Sequence, residues 1–213
     1  VGQTSVLLGT AQMHVRDHSG VMQMVRAVID SASQVSVIST SCVERLGLKR
    51  TRWTVPLTGL SGVKVPRVEG IVECLITPRY NYDHSIPVRA WVLPKVTNDM
   101  PLHNLPPHLK TKFSHLALAD PLFDRPAPVD MLLGADVFAH IFDGKRVVLE
   151  DSLPAAFSTL FGWVIIGPVT NSDCDQTHSN LVSLTVSLEH MVQRFWEVEE
   201  PDSAPEIFSQ AGQ

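Results

Sequence analysis

The feature that most constrains this chain is an apolar run that ends at a carboxylate. Residues 27–29 read Ala-Val-Ile, Asp30 follows them, and residues 31–34 are small or polar. An apolar run rich in β-branched residues and bounded by small polar residues is typical of a buried strand that ends in a turn. The sequence therefore predicts a strand that delivers one acid to a tight turn beside the core.

Two interpretations of Asp30 are open at this point. Aspartate is common in turns because its side chain hydrogen-bonds to nearby backbone, and the triplet Asp-Ser-Ala alone favours this structural role. The alternative is peptide hydrolysis, which needs two carboxylates that share one proton and hold a water between them. Neither Asp120, which precedes a proline, nor Asp136, which follows Gly-Ala, has matching flanks. The second carboxylate would therefore come from another copy of the chain, across a twofold axis.

The residues after Asp30 have assignable roles in such a pair of loops. The Ser31 hydroxyl would reach the partner's backbone and brace the two loops. The residue at position 32 would donate its amide to Asp30 and leave room for a substrate backbone, and glycine suits both tasks. Ala32 keeps the amide and adds a methyl group. The predicted support of the acid consists of Ser31, Ala32, Ser33 and Gln34.

Composition excludes several other classes of protein. Hydrophobic residues make up 44% of the 213 residues and charged residues 18%, which is typical of a globular domain. The net charge of −5 argues against nucleic-acid binding through a broad basic face, and no apolar run is long enough to span a membrane. The histidines and cysteines lack ligand spacing, so neither a metal nor another cofactor is expected. Three separated cysteines favour a reducing, intracellular compartment.

Alternation and turn residues divide the chain into short strands. A hairpin is predicted over residues 5–30, with its turn at 17–20, and a second hairpin over residues 52–78, with glycines flanking its tip. Further strands are predicted at Ile86–Leu93, Arg146–Leu149 and Trp163–Ile166, and short helices at 42–46 and 135–142. The predicted fold class is all-β with one or two short helices.

Residues 1–169 are predicted to form one domain with an inserted segment. Seven of the 15 prolines fall within residues 94–128, which predicts an irregular excursion with a helical turn near His108–Phe113. Its length predicts that it is either functional or packed over the core. Residues 170–186 are predicted to be a polar linker, and residues 187–213 an amphipathic helix and tail. The start at Val1 favours a segment of a longer polypeptide.

Several short segments, taken in their order along the chain, carry a family resemblance. They are Leu7–Ala11 (LLGTA), Val25–Gln34 (VRAVIDSASQ), Leu57–Gly62 (LTGLSG), Leu116–Pro121 (LALADP), Leu132–Asp136 (LLGAD) and Phe161–Gly167 (FGWVIIG). Through their order and spacing, residues 5–169 resemble the retropepsin-like aspartic peptidase region of BEL/Pao-type LTR retrotransposon polyproteins. The tail Leu188–Glu197 resembles the segment that leads into the reverse transcriptase of the same polyproteins.

The resemblance implies a closed retropepsin-like β-barrel or sandwich, with a flap hairpin and a C-terminal helical appendage. It implies that Asp30 is the catalytic acid of a homodimeric endopeptidase that cleaves its own polyprotein, in the cytoplasm or within virus-like particles. It also places Gly134 in the crossed-loop core behind the acid, and Asp136 is expected to be a structural acid at a helix N-terminus. The implied flap over substrate consists of Thr58, Gly59, Leu60, Ser61 and Gly62.

The chain departs from this family at position 32. The family pattern has Asp-Ser-Gly-Ser-Gln where this chain has Ala32. Two alternatives to an active peptidase therefore stay open. One is a catalytically inactive retropepsin-like domain that serves as a dimerisation module or scaffold, and the other is a peptide-binding domain that uses the same cleft.

Overall fold

The structure is a computed structural model, and it describes residues 3–53, 57–59, 65, 67–151, 153–171 and 184–186. The predicted helix and tail at 187–213 lie outside these residues, as does most of the predicted linker. In the described part of the chain, no helix is long and apolar enough to cross a membrane.

Short strands dominate the described residues, which confirms the predicted all-β class. Within this described part of the chain, three short helices are present, against the one or two predicted. The strands are β1 (Gln3–Leu7), β2 (Thr10–Arg16), β3 (Met22–Ile29), β4 (Ser36–Ser39), β5 (Leu57–Gly59), β6 (Ile71–Pro78), β7 (Ile86–Leu93), β8 (Met131–Leu133), β9 (Phe142–Val147), β10 (Ala155–Thr159), β11 (Gly162–Asn171) and β12 (Leu184–Val186). The helices are α1 (Thr40–Leu46), α2 (Pro107–Lys112) and α3 (Ala135–Ile141).

The first hairpin forms as its alternating pattern predicts. Strands β2 and β3 pair antiparallel from Thr10 opposite Val28 to Arg16 opposite Met22. The apolar positions of β2 face the core and are fully buried, because successive side chains of a strand point to opposite faces. Asp17 closes the turn by accepting hydrogen bonds from the backbone of Ser19 and Val21.

Six strands close into a barrel in the order β2-β3-β8-β4-β7-β6, with β6 returning to β2. Strand β8 lies parallel to β3 and antiparallel to β4. It therefore separates two strands that follow each other in sequence, on either side of residues 30–35. This placement brings residues 131–136 against the loop that carries Asp30.

A second sheet, in the order β1-β11-β10-β9, lies outside the barrel. The prediction of a strand at Arg146–Leu149 is wrong in its bounds, because β9 spans Phe142–Val147, and β10 was missed. The reason is local composition. The middle of β9 reads Asp-Gly-Lys-Arg and is exposed, so it carries no apolar alternation that would identify a strand.

The proline-rich segment, residues 94–128, packs against the domain. It contains α2 near the predicted helical turn, and Leu109 and Phe113 are buried in an apolar cluster with Ile165 of β11. The backbone amide of Gln12 donates to the carbonyl of Ala119 at 2.9 Å, so the segment also bonds to β2.

Strand β5 belongs to a separate two-stranded sheet with β12. The Val65 amide donates to the Leu57 carbonyl at 2.7 Å, and these two residues lie on either side of the predicted hairpin tip in sequence. Strand β12 forms from the last three residues of the predicted linker, and β11 runs to Asn171 at the start of it.

Candidate active site

Asp30 lies directly after β3, on a loop that holds its carboxyl in a fixed orientation. Its amide donates to the Leu133 carbonyl of β8 at 3.0 Å. The Ala32 amide donates to Asp30 Oδ1 at 2.9 Å, and the Ser33 amide donates to the Asp30 carbonyl at 3.3 Å. Backbone groups thus fix both the position of the residue and one of its carboxyl oxygens.

The other carboxyl oxygen of Asp30 lacks such a hydrogen-bond donor in the described part of the chain. Oδ2 is buried and has no hydrogen-bond partner among the described residues. Burial raises the pKa of Asp30 above its ordinary value, and the hydrogen bond from the Ala32 amide opposes that shift only in part. A half-buried carboxyl with one buried, unpartnered oxygen therefore favours its protonated form more than a fully solvated aspartate does.

Gly134 supports the acid loop from behind through close backbone contact. A Cβ at this position would approach the Val35 carbonyl oxygen at 2.5 Å and the Ser33 carbonyl oxygen at 2.8 Å. Its φ of −86° is open to any residue, so the requirement for glycine here is steric. The Ala135 amide adds a 2.7 Å hydrogen bond to the Ser33 carbonyl.

A buried serine connects the same loop to the first turn of α3. The Ser36 hydroxyl accepts from the Gly134 amide at 3.1 Å and donates to Asp136 Oδ1 at 2.9 Å. Ser36 is fully buried, whereas Asp136 is exposed. Asp136 lies in the first turn of α3, where a negative charge is favoured, and it also bonds to the strand that follows the acid loop.

The other predicted site residues fall into two groups. Ser31, Ala32 and Gln34 are exposed, whereas Ser33 is buried and donates its hydroxyl to the Val35 carbonyl at 2.8 Å. The predicted flap residues Thr58 and Gly59 lie in β5, and Leu60, Ser61 and Gly62 lie outside the described residues.

The structure brings Gly134 and Asp136 to the acid loop, whereas β5 belongs to another sheet. One apolar cluster nevertheless links the two places. It contains Leu57 of β5 together with Val28 of β3, Val35 of the Asp30 loop and Leu132 of β8, the strand that pairs with β3.

Ser36 and the Leu133 carbonyl support the acid loop but are not among the residues predicted from the sequence. The signal for Ser36 was a lone hydroxyl between Val35 and Val37, because a polar side chain in an apolar strand needs hydrogen-bond partners when it is buried. The Leu133 carbonyl carries no side-chain signal. Among the residues that the structure describes, no group of three or more histidine, cysteine or acidic side chains is arranged to hold a metal ion.

Comparison with known proteins gives a family. The structure is similar to a crystal structure of the retroviral protease-like domain of Ddi1 from Leishmania major, at 13% identity and a TM-score of 0.34, over 74% of this chain and 92% of that one. No curated protein matches the chain. The family profile described as aspartyl protease matches residues 15–137, more than half of the chain, and this span includes Asp30, Gly134 and Asp136. The chain belongs to the aspartyl protease family.

Proposed function

We propose that this chain is an aspartic endopeptidase of a retrotransposon polyprotein, active as a homodimer with one Asp30 from each subunit. The observation that carries the proposal is the Asp30 carboxyl. One of its oxygens is held by the Ala32 amide, and the other is buried without a hydrogen-bond partner in the described part of the chain. Such a carboxyl is suited to meet a second one.

The second carboxyl has to come from another subunit, because the nearby acids are engaged elsewhere. Asp136 accepts from Ser36, and Asp130 accepts from the Arg26 amide and pairs with Arg45. A twofold axis beside the loop would set Asp30 against the partner's Asp30.

The chemistry follows from the repulsion between two like charges. The pair cannot ionise together, so one carboxyl keeps a proton and the other is a base. The base takes a proton from the water between them, and the water oxygen attacks the peptide carbonyl carbon, while the protonated carboxyl donates to the carbonyl oxygen. Collapse of the tetrahedral intermediate breaks the C–N bond, and the leaving nitrogen takes up a proton.

The substrate class rests on the sequence resemblance. Six short segments resemble, in their sequence, order and spacing, the peptidase region of BEL/Pao-type polyproteins. Residues Leu188–Glu197 resemble the segment before the reverse transcriptase of these polyproteins. We infer that the substrate is the polyprotein of the element itself, and that cleavage releases its structural and replicative proteins in the cytoplasm or in virus-like particles.

A second candidate function follows from Ala32, where the family pattern has glycine. A methyl group here would impede a substrate backbone that comes close to the acid. The domain would then be an inactive dimerisation module or scaffold, or a peptide-binding domain. The bond from the Ala32 amide to Asp30 favours the active form, because the alanine keeps the donor that the acid uses.

The test is cleavage of the polyprotein junctions by the native chain, Asp30→Asn and Ala32→Gly, from acidic to neutral pH. We expect cleavage by the native chain, its loss in Asp30→Asn, and equal or faster cleavage by Ala32→Gly. Sedimentation establishes whether each variant is dimeric, and circular dichroism whether it is folded. Cleavage that persists in Asp30→Asn would refute the assignment. Silence of all three variants while folded and dimeric would establish the scaffold instead.

A further inference from the structure

The C-terminal part of the chain supplies a strand to β5, and this pairing has no role in the proposed chemistry. Strand β12 runs antiparallel to β5, with Leu184 opposite Gly59, Thr185 opposite Thr58, and Val186 opposite Leu57. Residues 172–183 separate β12 from the end of β11. The neighbour on this edge of β5 is therefore a segment that comes more than 120 residues later in the sequence.

The two edges of β5 have different neighbours. On one edge, the Leu57 carbonyl accepts from the Val65 amide. In an antiparallel strand, successive residues direct their backbone groups to opposite edges. The backbone groups of Thr58 therefore face β12, opposite Thr185. This is the edge to which an extended peptide would add as a further strand.

Strand β5 also begins beside the acid loop. Leu57 is fully buried in the apolar cluster that contains Val28, Val35 and Leu132. These three residues belong to the elements that hold Asp30. A peptide added to β5 is thus anchored next to the residues that position the acid.

We propose that Leu184–Val186 is an intramolecular strap that occupies the peptide-binding edge of β5, so that substrate binds only when the strap leaves. The proposal rests on the proposed function for the identity of the substrate. The strap itself is a property of the chain and does not depend on catalysis. Because the strap and β5 belong to one chain, their pairing is intramolecular, and a weakly binding peptide competes poorly with it.

The strap has a sequence that suits this place. Residues 181–188 read Leu-Val-Ser-Leu-Thr-Val-Ser-Leu, an uncharged run with β-branched residues at its centre. An extended peptide of this composition is the class of ligand that the edge of β5 would accept. A peptide added in trans and the strap would then compete for the same backbone groups of Thr58.

The test uses the full chain with Asp30→Asn, which removes turnover by the proposed catalytic acid, and compares Thr185→Pro with Thr185→Ala in that background. Proline removes the N–H that faces Thr58, and alanine keeps it. The probe is a fluorescent octapeptide with the sequence of residues 181–188, and binding is followed by anisotropy. We expect Thr185→Pro to bind it about fivefold more tightly than the parent, as the loss of one backbone hydrogen bond from the strap predicts, and Thr185→Ala to match the parent.

Hydrogen exchange of the Thr58 amide, followed by NMR, provides the second measurement. We expect protection in the parent and in Thr185→Ala, and faster exchange in Thr185→Pro. Equal exchange in all three would overturn the strap. Faster exchange without tighter peptide binding would overturn its competition with substrate. Neither peptide binding nor hydrogen exchange needs an active enzyme. The strap is therefore tested by these two measurements, and the peptidase assignment is tested separately by the cleavage assay.

Discussion

The Arg26 guanidinium and the Asp120 carboxylate meet at 2.7 Å in the interior, where the two residues are 7% and 2% exposed. Arg26 also donates to the carbonyls of Met100 and Ala127, and Asp120 accepts from the Thr10 hydroxyl at 2.7 Å. The pair therefore ties β3, four residues before Asp30, to the proline-rich segment. A buried ion pair of this kind is stable only while every member has its partners.

Loss of one member of this pair should destabilise the domain strongly. We expect Asp120→Ala to lower the free energy of unfolding by about 3–5 kcal/mol, because it leaves the Arg26 charge buried without its carboxylate. Urea unfolding followed by fluorescence measures the change. The matched control is Glu73→Ala, which breaks the exposed pair with Arg89 and should change stability by less than about 1 kcal/mol. Equal effects of the two variants would contradict the structural role of Asp120.

Gly134→Ala tests the close contact behind the acid loop. The new methyl group would meet two carbonyl oxygens of the loop, so we expect a loss of about 1–3 kcal/mol or more in the free energy of unfolding, together with loss of cleavage. The control is Gly144→Ala, which has open space but a φ of +83°. It should lose about 1–2 kcal/mol from backbone strain and keep its cleavage activity. Full activity in Gly134→Ala would show that the contact does not position the acid.

Ser36→Ala tests the bridge between the acid loop and α3. The variant leaves the buried Gly134 amide without its acceptor, and we expect a loss of about 1–3 kcal/mol in the free energy of unfolding. Asp136→Asn should have a smaller effect, because its amide oxygen still accepts from Ser36. The control is Ser158→Ala, which removes an exposed hydroxyl that donates to Asp143 and should cost about 0.5 kcal/mol or less. If Ser36→Ala were as stable as this control, Ser36 would not contribute to the support of the acid loop.

The sequence predicts those parts of the fold that rest on local pattern. The hairpin of β2 and β3 follows from alternation and turn residues, and β7 has the predicted bounds because Ile86–Leu93 is apolar apart from Arg89 and ends before a proline. The family profile supports the assignment of the chain, and Asp30 lies at the predicted end of β3.

Contacts between distant segments could not be predicted in this way. Nothing local pairs Arg26 with Asp120, and the lone charge within an apolar strand shows only that a partner is needed. The same holds for β12, since the polar composition of residues 170–180 predicts a linker and a three-residue strand is too short for a periodic signal. The hydrogen bond from the Asp30 amide to the Leu133 carbonyl could not be predicted either, because it involves backbone groups that every residue has.

The raised pKa of Asp30 predicts a pH dependence of stability. The folded chain keeps the Asp30 proton to higher pH than the unfolded chain, so the contribution of this residue is full below about 3.8 and falls as the pH rises through the raised pKa. Asparagine does not titrate. We therefore expect the stability of Asp30→Asn, relative to that of the native chain, to be higher at pH 7 than at pH 3. Urea unfolding at pH 3, 5 and 7 measures this difference.

An exposed acid supplies a control with the opposite sign. Hydrogen bonds, first that from the Ser19 side chain, lower the pKa of Asp17 to about 2. Its contribution is present above 3.8 and is lost as the pH falls towards 2, so Asp17→Asn should be less stable than the native chain at pH 7, with a smaller difference at low pH. A pH trend of the same sign in both variants would contradict the assigned origin of the Asp30 shift.

The insertion of β8 between β3 and β4 also sets the time at which the acid loop can be completed on the ribosome. Gly134 is made 98 residues after the Ser36 to which it bonds. At about 5–20 residues per second, that interval is roughly 5–20 s. Throughout it, Asp30 has been synthesised but lacks the backbone that will hold it. The nascent chain therefore emerges with its acid loop incomplete, and the loop can be completed only after translation has passed α3.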